Sequence, residues 1–166
     1  MLLRTILASC LALSAATRLA GPASALELPK EGACKFKVSV EGKQVVTTID
    51  YARLDGVASW DENQKIIENC DGWPTMTRHC FGLNEFNKGS EFAYGFCIAK
   101  DADGDAIIWK LLPHSVESID RIPDQVLMAS GKYRGMTGKG ISQCTFSGSP
   151  TDYTGTCDVE MTYKIQ

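Results

Sequence analysis

The sequence lacks the short motifs that mark many catalytic centres. It contains no GxSxG nucleophile elbow, no HExxH metal-binding motif and no GxxxxGK[ST] phosphate-binding loop. Only two histidines occur among its 166 residues, and neither stands in a recognisable pairing with a nucleophile. These absences favour a non-catalytic role and predict no cofactor, although they leave open chemistry that needs little acid–base machinery.

Clusters of lysine and arginine are also absent, and the chain as a whole is acidic. Its 17 lysines and arginines oppose 20 aspartates and glutamates, which gives a formal net charge of −3 at pH 7. Nucleic acids and anionic membrane surfaces attract basic patches. The composition therefore predicts that the protein binds neither of them.

No apolar run is long enough to cross a membrane as a helix, because such a span needs about 20 residues. The longest run covers residues 6–16, with Arg4 before it and the small residues Ala-Ser-Ala at 23–25 after it. This arrangement is typical of a signal peptide. We expect a signal peptide over residues 1–25 and a single exported domain over residues 26–166, either periplasmic or secreted.

Closely spaced cysteines are missing too. Zinc knuckles bring cysteines two to four residues apart, whereas the nearest pair of the exported domain, Cys70 and Cys80, is ten residues apart. An even number of cysteines in an exported chain predicts a disulfide framework in place of a metal site. The six that follow the signal peptide predict three disulfides: Cys34, Cys70, Cys80, Cys97, Cys144 and Cys157.

Alternation of apolar and polar residues is the main pattern that is present. In "CKFKVSV" (34–40) and "TCDVEMTYKI" (156–165) every second residue is apolar, as in half-buried strands. Residues 43–51 follow a turn signal at Glu41-Gly42 and predict a separate strand. The remaining predicted strands, which bring the total to about eight, are 77–86, 91–100, 105–112, 125–130 and 139–147.

Only two segments, residues 61–70 and 113–125, resist this pattern. Each predicts one short helix or a long loop. The chain is therefore expected to be an all-β domain with at most one or two short helices.

Three carboxylates, those of Asp101, Asp103 and Asp105, surround a glycine and raise the question of a calcium site. A calcium-binding EF loop needs glycine at its sixth position and glutamate at its twelfth. Here the glycine is fourth and the sixth residue is Ala106. The dipeptide Asp103-Gly104 is instead typical of a two-residue hairpin turn. We therefore predict a turn and no metal site.

The turn signals also predict which residues face one another. A two-residue turn at Asp103-Gly104 would place Ile98 opposite Trp109, and would put Phe96 on the same inner face as Trp109. His79 and Phe81 would share that face. A histidine on an apolar face is commonly a core residue, and the alternative is a polar group that lines a ligand cavity.

Two further hairpins pair four of the cysteines. A turn centred on Lys88-Gly89 places Cys80 opposite Cys97, and a turn through residues 149–152 places Cys144 opposite Cys157. Elimination then pairs Cys34 with Cys70.

The segment "SGKYRGMTGKG", residues 130–140, combines four glycines with Tyr133. The order of its residues does not match a phosphate-binding loop. It predicts a strand–bulge–strand segment in which glycine lets the sheet bend.

At these motifs the sequence is similar to a known group. "GKYRGMTGKG" and "DADGDAIIWK", together with the alternating C-terminal strand, resemble small exported bacterial proteins of the allene-oxide-cyclase or dirigent-like barrel group, most clearly over residues 80–140. The resemblance implies an eight-stranded antiparallel barrel whose interior accepts a hydrophobic ligand. Plant members of the group act on oxidised fatty acids or guide the radical coupling of phenolics, but none of their functional residues carries over to this chain.

An eight-stranded barrel has an interior that side chains just fill or that holds one small ligand. The leading hypothesis is an exported, disulfide-stapled, non-catalytic barrel with a small hydrophobic ligand as its candidate partner, its oligomeric state left open. The alternatives are a cyclase- or isomerase-like enzyme acting on a hydrophobic substrate in the barrel, and a protein-binding, inhibitor-like module acting through residues 26–32. The residues expected to fill the core or line a pocket are His79, Phe81, Tyr94, Phe96, Trp109, Tyr133 and Tyr163.

Overall fold

The computed structural model describes most of the chain beyond the predicted signal peptide, which itself lies outside the described residues. No helix in the described part is long and apolar enough to cross a membrane. The described residues are 28–48, 50, 55–87, 90–115, 121–149 and 151–166.

Eight antiparallel strands form one closed barrel, in which strands that are neighbours in sequence are also neighbours in space. The last strand pairs with the first, so the sheet has no free edge. The all-β, eight-stranded prediction is confirmed. The strands are β1 (Glu31–Thr47), β2 (Gly56–Glu68), β3 (Thr77–Asn87), β4 (Ser90–Lys100), β5 (Ala106–Ser115), β6 (Ile122–Ala129), β7 (Met136–Ser149) and β8 (Asp152–Ile165).

The alternation of the sequence becomes the inside and outside of the barrel. On β8, Cys157, Val159, Met161 and Tyr163 are buried, while the residues between them are exposed. A strand in a closed sheet has one face toward the core and one toward solvent, so period two is the pattern that such a strand needs.

The predicted turn at Glu41-Gly42 was wrong, because β1 continues through it. Gly42 is buried and lies against the ring of Tyr153, where a Cβ atom would overlap that ring. The glycine therefore allows two chain segments to approach closely inside the barrel, and it does not mark a turn.

Residues 61–70 were predicted as a helix or a loop, yet most of them belong to β2. The apolar alternation fails there because the inward positions Glu62 and Gln64 are polar, although both are buried. The segment 113–125 likewise contains the end of β5 and the start of β6, and its residues 116–120 lie outside the described part.

The predicted register between β4 and β5 was wrong by one residue. A three-residue loop joins Asp101 to Asp105: the backbone N–H of Asp101 donates to Asp105 O, the backbone N–H of Gly104 donates to Asp101 O, and Gly104 has a φ of +85°. Such a loop is a type I turn followed by a left-handed glycine, and it is one residue longer than the predicted turn. Trp109 consequently pairs with Cys97 and points inward, whereas Phe96 points outward.

One end of the barrel, called here the closed end, is filled by aromatic side chains. Trp73, in the connection between β2 and β3, stacks on Tyr133 at 6.2 Å between ring centroids and meets Tyr163 edge-on at 5.1 Å. Tyr133 is fully buried. The disulfide between Cys34 and Cys70 ties the β2–β3 connection to β1 and holds Trp73 in place.

The β4–β5 and β6–β7 connections bind each other at the closed end. The side chain of Asp101, which is only 2 % exposed, accepts hydrogen bonds from Tyr133 Oη at 2.8 Å and Lys132 Nζ at 2.7 Å. Burial would raise the pKa of Asp101, but these donors outweigh it and lower that pKa. The segment after Ser130 is accordingly a single 3₁₀ turn, Gly131–Tyr133, where a strand and bulge had been predicted.

Three disulfides are present, as predicted, and the pairs match the predicted ones. Cys80–Cys97 and Cys144–Cys157 join directly opposed residues of adjacent strands, with Cα atoms 4.0 Å and 4.1 Å apart. A framework of three bridges is typical of proteins from oxidising compartments.

Removing the bridge at the closed end should destabilise the barrel. The double variant Cys34→Ala/Cys70→Ala frees a connection of 36 residues, and we expect the free energy of unfolding to fall by about 2–4 kcal/mol. For a domain of this size that corresponds to a melting temperature lower by roughly 5–15 °C, measurable by circular dichroism. A shift of less than about 1 °C would show that the closed end holds without the bridge.

Candidate functional site

The other end of the barrel, called here the open end, contains a cavity of about 330 Å³. It is lined by the last residues of β7 and the first of β8, and it reaches down to the middle of the barrel. The closed end leaves a void of only about 20 Å³. The interior is therefore packed solid in one half and hollow in the other.

The walls of the cavity are mainly apolar. Trp60 from β2, Ala93 from β4, Leu111 from β5 and Phe146 from β7 line it on different sides. The sulfur-bearing residues Cys97, Cys144 and Cys157 add to the same surface.

Arg78 from β3 lies at the floor of the cavity, between the hollow half and the packed half, and it borders both voids. It is only 6 % exposed, and its guanidinium carbon lies 5.4 Å from the centre of the Phe36 ring. Its Nε has no hydrogen-bond partner among the described residues. Burial lowers the pKa of Arg78, while the negative charges of Asp124 and Glu62 act in the opposite direction. Arginine nevertheless stays charged, so the floor carries a buried cation.

Glu62 from β2 is a buried carboxyl beside this cation. Its Oε2 accepts a hydrogen bond from Gln64 Nε2 at 2.8 Å, and its Oε1 accepts one from Tyr153 Oη at 2.9 Å. Burial raises the pKa of Glu62, and these two bonds together with the charge of Arg78 offset the rise only in part. Burial of the phenol and the charge of the same carboxyl raise the pKa of Tyr153.

Asp124 from β6 is the second buried carboxyl, and it is only 3 % exposed. Its Oδ2 accepts a long hydrogen bond from Ser142 Oγ at 3.4 Å, and its Oδ1 has no partner in the part of the chain that the structure describes. Gly140 on the adjacent strand leaves room for this side chain, because a Cβ atom there would overlap it. Burial raises the pKa of Asp124 to about 6, although Arg78 and Ser142 act to lower it.

Within the described ranges, three buried polar atoms in or behind this floor thus lack a hydrogen-bond partner: Gln64 Oε1, Arg78 Nε and Asp124 Oδ1. Gln64 and Arg78 line the cavity, whereas Asp124 lies behind its wall. Each such group costs roughly 1–3 kcal/mol when it is left unsatisfied. A cluster of unsatisfied polar groups below an apolar cavity is the arrangement expected where a ligand with polar atoms binds.

None of the seven residues predicted to fill the core or line a pocket borders the cavity at the open end. His79, Phe81, Tyr94 and Phe96 lie on the outer face of β3 and β4. Their assignment to the interior was wrong, because the register between β4 and β5 differs by one residue from the predicted one. This shift exchanges the inner and outer faces of β4 relative to Trp109. His79 instead lies 2.8 Å from Asp61 on the outer surface, and its ring contacts that of Phe81.

The other three predicted residues are buried, but at the closed end. Trp109, Tyr133 and Tyr163 belong to the cluster that fills that half of the barrel. The structure therefore brings these three together as core residues.

The residues at the floor of the cavity were missed by sequence reasoning. Arg78 stands two positions before Cys80, whose side chain is fully buried. Period two therefore assigns Arg78 to the inner face of β3. The charge of the residue obscured this signal, because apolar residues were used to find the inner face.

No group of three histidine, cysteine, aspartate or glutamate side chains within the described ranges is arranged to hold a metal ion. The three carboxylates of the β4–β5 loop bind donors of the protein. Asp103 Oδ2 pairs with Lys132 Nζ at 2.7 Å, and Asp105 Oδ2 accepts the backbone N–H of Lys132 at 3.1 Å.

Comparisons with known proteins agree with the barrel. Neither a protein-family model nor a curated protein sequence matches the chain. The structure of the pterocarpan synthase dirigent protein GePTS1 aligns with a TM-score of 0.51 at 10 % identity, over 82 % of this chain and 91 % of that one. The pterocarpan synthase dirigent protein PsPTS1 aligns with a TM-score of 0.53 at 8 % identity, over 84 % and 99 %. Identities this low show a shared fold alone, the eight-stranded barrel that the resemblance of the sequence implied.

Ionisation of Asp124 should make the native state less stable as the pH rises. The pKa of Asp124 is raised from 3.8, its ordinary value, to about 6 in the folded protein. The stability that the neutral carboxyl contributes is therefore complete below the unfolded pKa and is lost as the pH rises through about 6. Between pH 5 and pH 7 we expect this group to lower the free energy of unfolding by about 1–2 kcal/mol, measured by urea denaturation.

Two variants isolate this effect. Asp124→Asn removes the titrating group and should flatten the pH dependence by that amount. Asp152→Asn, at an exposed position, should keep the dependence of the unaltered protein. The same slope in Asp124→Asn as in the unaltered protein would contradict the assignment.

Proposed function

We propose that the protein binds one small molecule in the cavity at the open end, and that this molecule has an apolar body and a polar end. The observation that carries the proposal is the buried polar floor of Arg78, Glu62 and Gln64 beneath apolar walls. Behind this floor lies the buried carboxyl of Asp124, whose charge acts on Arg78. The proposal adds the polar end to the apolar ligand expected from the sequence.

The distribution of packing supports this proposal. Protein interiors are normally close-packed, and an unfilled volume costs stability. Here one half of the barrel is filled to a void of about 20 Å³, while the other half keeps about 330 Å³. The larger value lies at the lower end of the range for small-molecule sites, which is roughly 300–1,000 Å³.

The polar atoms of the floor support an amphipathic ligand over a purely apolar one. Arg78 Nε needs an acceptor, whereas Gln64 Oε1 and Asp124 Oδ1 need donors. A hydrocarbon would leave all three unsatisfied after it had excluded water from the cavity. A ligand with an oxygen function at one end would satisfy at least one of them.

The sequence and the site best support ligand binding without catalysis. The fold is shared with two pterocarpan synthase dirigent proteins, and this likeness makes phenolic molecules reasonable probes beside lipids. We further propose that residues 1–25 are a signal peptide and that the barrel is periplasmic or secreted, which agrees with its three disulfides.

A second candidate function is an isomerase- or cyclase-like enzyme. The observation that favours it is the pair of buried carboxyls, Glu62 and Asp124, whose pKa values burial raises. A carboxyl with a pKa near the working pH is suited to proton transfer. Tyr153 and Arg78 would then orient the substrate.

The third alternative, an inhibitor-like module acting through residues 26–32, has less support. Leu28 packs against the aromatic cluster of the closed end, and Gly32 is already part of β1. The described part of this arm is therefore engaged with the barrel.

Filling the cavity should abolish ligand binding. Ala93 is 8 % exposed and lines the wall, so Ala93→Phe adds a ring to the space that the ligand needs. After incubation with a mixture of fatty acids, fatty alcohols and phenolic compounds, native mass spectrometry should detect a one-to-one complex for the unaltered protein and none for Ala93→Phe.

Ala33→Phe is the matched control, because Ala33 is exposed on the outer face of β1. This variant should bind like the unaltered protein. Recovery of only bare unaltered protein, or equal complex formation by Ala93→Phe, would overturn the proposed binding site.

The enzymatic alternative predicts proton exchange in the bound molecule. In D₂O, a ligand recovered from the protein should gain deuterium at carbon if Glu62 or Asp124 transfers protons. Replacement of the responsible carboxyl, in Glu62→Gln or Asp124→Asn, should slow the exchange by about 10²–10⁴-fold. Absence of carbon-bound deuterium in a ligand that binds would exclude this alternative for that ligand and leave binding alone.

A further inference from the structure

We infer that the ligand carries an anionic group which binds Arg78 at the floor of the cavity, and that its binding is coupled to the uptake of one proton by Asp124. This inference rests on the proposed function, because it concerns the same cavity. It specifies the chemical class of the ligand, a small amphipathic anion, and the condition under which that ligand binds and leaves.

The state of Arg78 is the first observation behind the inference. Its side chain is more than nine-tenths buried and it borders the cavity, yet no described residue bonds its Nε. The Phe36 ring lies on one side of the guanidinium. A buried guanidinium with an unused donor is the group that binds carboxylate, sulfonate or phosphate oxygens most strongly in proteins.

The charges around Arg78 come from other strands. Glu62 faces it from β2 and Asp124 from β6, and Tyr153 of β8 donates its hydroxyl to Glu62. His114 of β5 lines the cavity nearer the open end. The inward positions described on β1, β4 and β7 hold glycine, apolar residues, disulfide-bonded cysteines, serine and glutamine, so they add no titratable group.

With both carboxylates ionised, Arg78, Glu62 and Asp124 together carry one negative charge. Addition of an anion to this floor would place two net negative charges in a region that water reaches poorly, and like charges there repel strongly. If one carboxylate takes up a proton as the anion binds, the net charge is unchanged. The incoming anion then takes the place of that carboxylate as the counter-charge of Arg78.

The hydrogen bonds indicate that Asp124 is the carboxylate that takes up the proton. Both oxygens of Glu62 accept bonds, at 2.8 Å from Gln64 and 2.9 Å from Tyr153, and these bonds stabilise its ionised form. From the described residues Asp124 receives only the long bond from Ser142, and its Oδ1 has none. Its charge is therefore the one that is lost most easily.

The pH dependence follows from this assignment. Only the form with neutral Asp124 binds the anion well, so the apparent affinity is multiplied by the fraction of that form. Burial raises the pKa of Asp124 to about 6. The affinity should be nearly constant below about pH 5 and should fall about tenfold for each pH unit above the pKa. A neutral ligand of the same size should show no such fall.

Octanesulfonate and octanol form the test pair, because the sulfonate stays ionised and the alcohol stays neutral between pH 5 and pH 8. Isothermal titration calorimetry should show that octanesulfonate binds about 100-fold more weakly at pH 8 than at pH 5. Octanol should bind within a factor of about two at both values.

Variants assign the effect to residues. Asp124→Asn should keep the tight binding of octanesulfonate at pH 8, whereas Glu62→Gln should keep the pH dependence of the unaltered protein. Arg78→Gln should weaken octanesulfonate binding by more than about tenfold at pH 5 and should still bind octanol. If Arg78→Gln does not fold, by near-ultraviolet circular dichroism, the contrast between Asp124→Asn and Glu62→Gln alone decides.

The outcomes separate this inference from the proposed function. If neither probe binds at either pH, the binding cavity itself is wrong. If octanol binds but octanesulfonate does not, the cavity stands and the coupled anion site is overturned. The same conclusion follows if octanesulfonate binds equally at pH 5 and pH 8. Unchanged pH dependence in Asp124→Asn would overturn the role of Asp124 in the same way.

Discussion

Pairing between β1 and β8, which runs from Glu31 opposite Lys164 to Gly42 opposite Tyr153, closes the sheet on itself. Once the sheet is closed, every strand has one side that is cut off from water, whatever residues the chain supplies there. At the closed end those residues are mainly aromatic and sulfur-containing, and they fill the space. In the other half several of them are small or charged, and they do not. The hollow half is therefore a result of side-chain choice within a uniform backbone.

Charge in that interior opposes stability, since moving an ion out of water is costly unless other groups compensate it. The barrel meets this cost in several ways: Phe36 covers the Arg78 guanidinium, two donors hold Glu62, and burial shifts the pKa of Asp124 toward its neutral form. Compensation is incomplete, because three buried polar atoms lack partners among the described residues. Departures of this kind from ordinary packing rules are found mainly where a protein has a function to serve.

Period two and the turn signals predicted the two cross-strand bridges and the faces of β8, because these depend on local geometry. The total of eight strands matched only because the predicted split of β1 into two strands offset the missing β2. These sequence patterns gave wrong predictions where one turn signal fits two loop lengths. Asp103-Gly104 fits a two-residue and a three-residue loop, and that single residue exchanged the inner and outer faces of β4 relative to Trp109. They failed again on β2, where Glu62 and Gln64 hold inward positions that apolar residues usually occupy. The candidate site was hard to predict because charged and polar residues take inward positions there.

Sulfur atoms form part of the surface that a ligand would touch, since Cys97, Cys144 and Cys157 border the cavity. As disulfides they form an inert, weakly polar part of the cavity wall. In a reducing cytosol the same atoms would be thiols, and a thiolate is both a nucleophile and a soft ligand for copper or zinc. Burial in apolar surroundings would keep these thiols mostly protonated, so protein produced in such a host would carry S–H groups and unlinked strands in place of the bridges. The choice of expression compartment thus decides which chemistry the inside of this barrel displays.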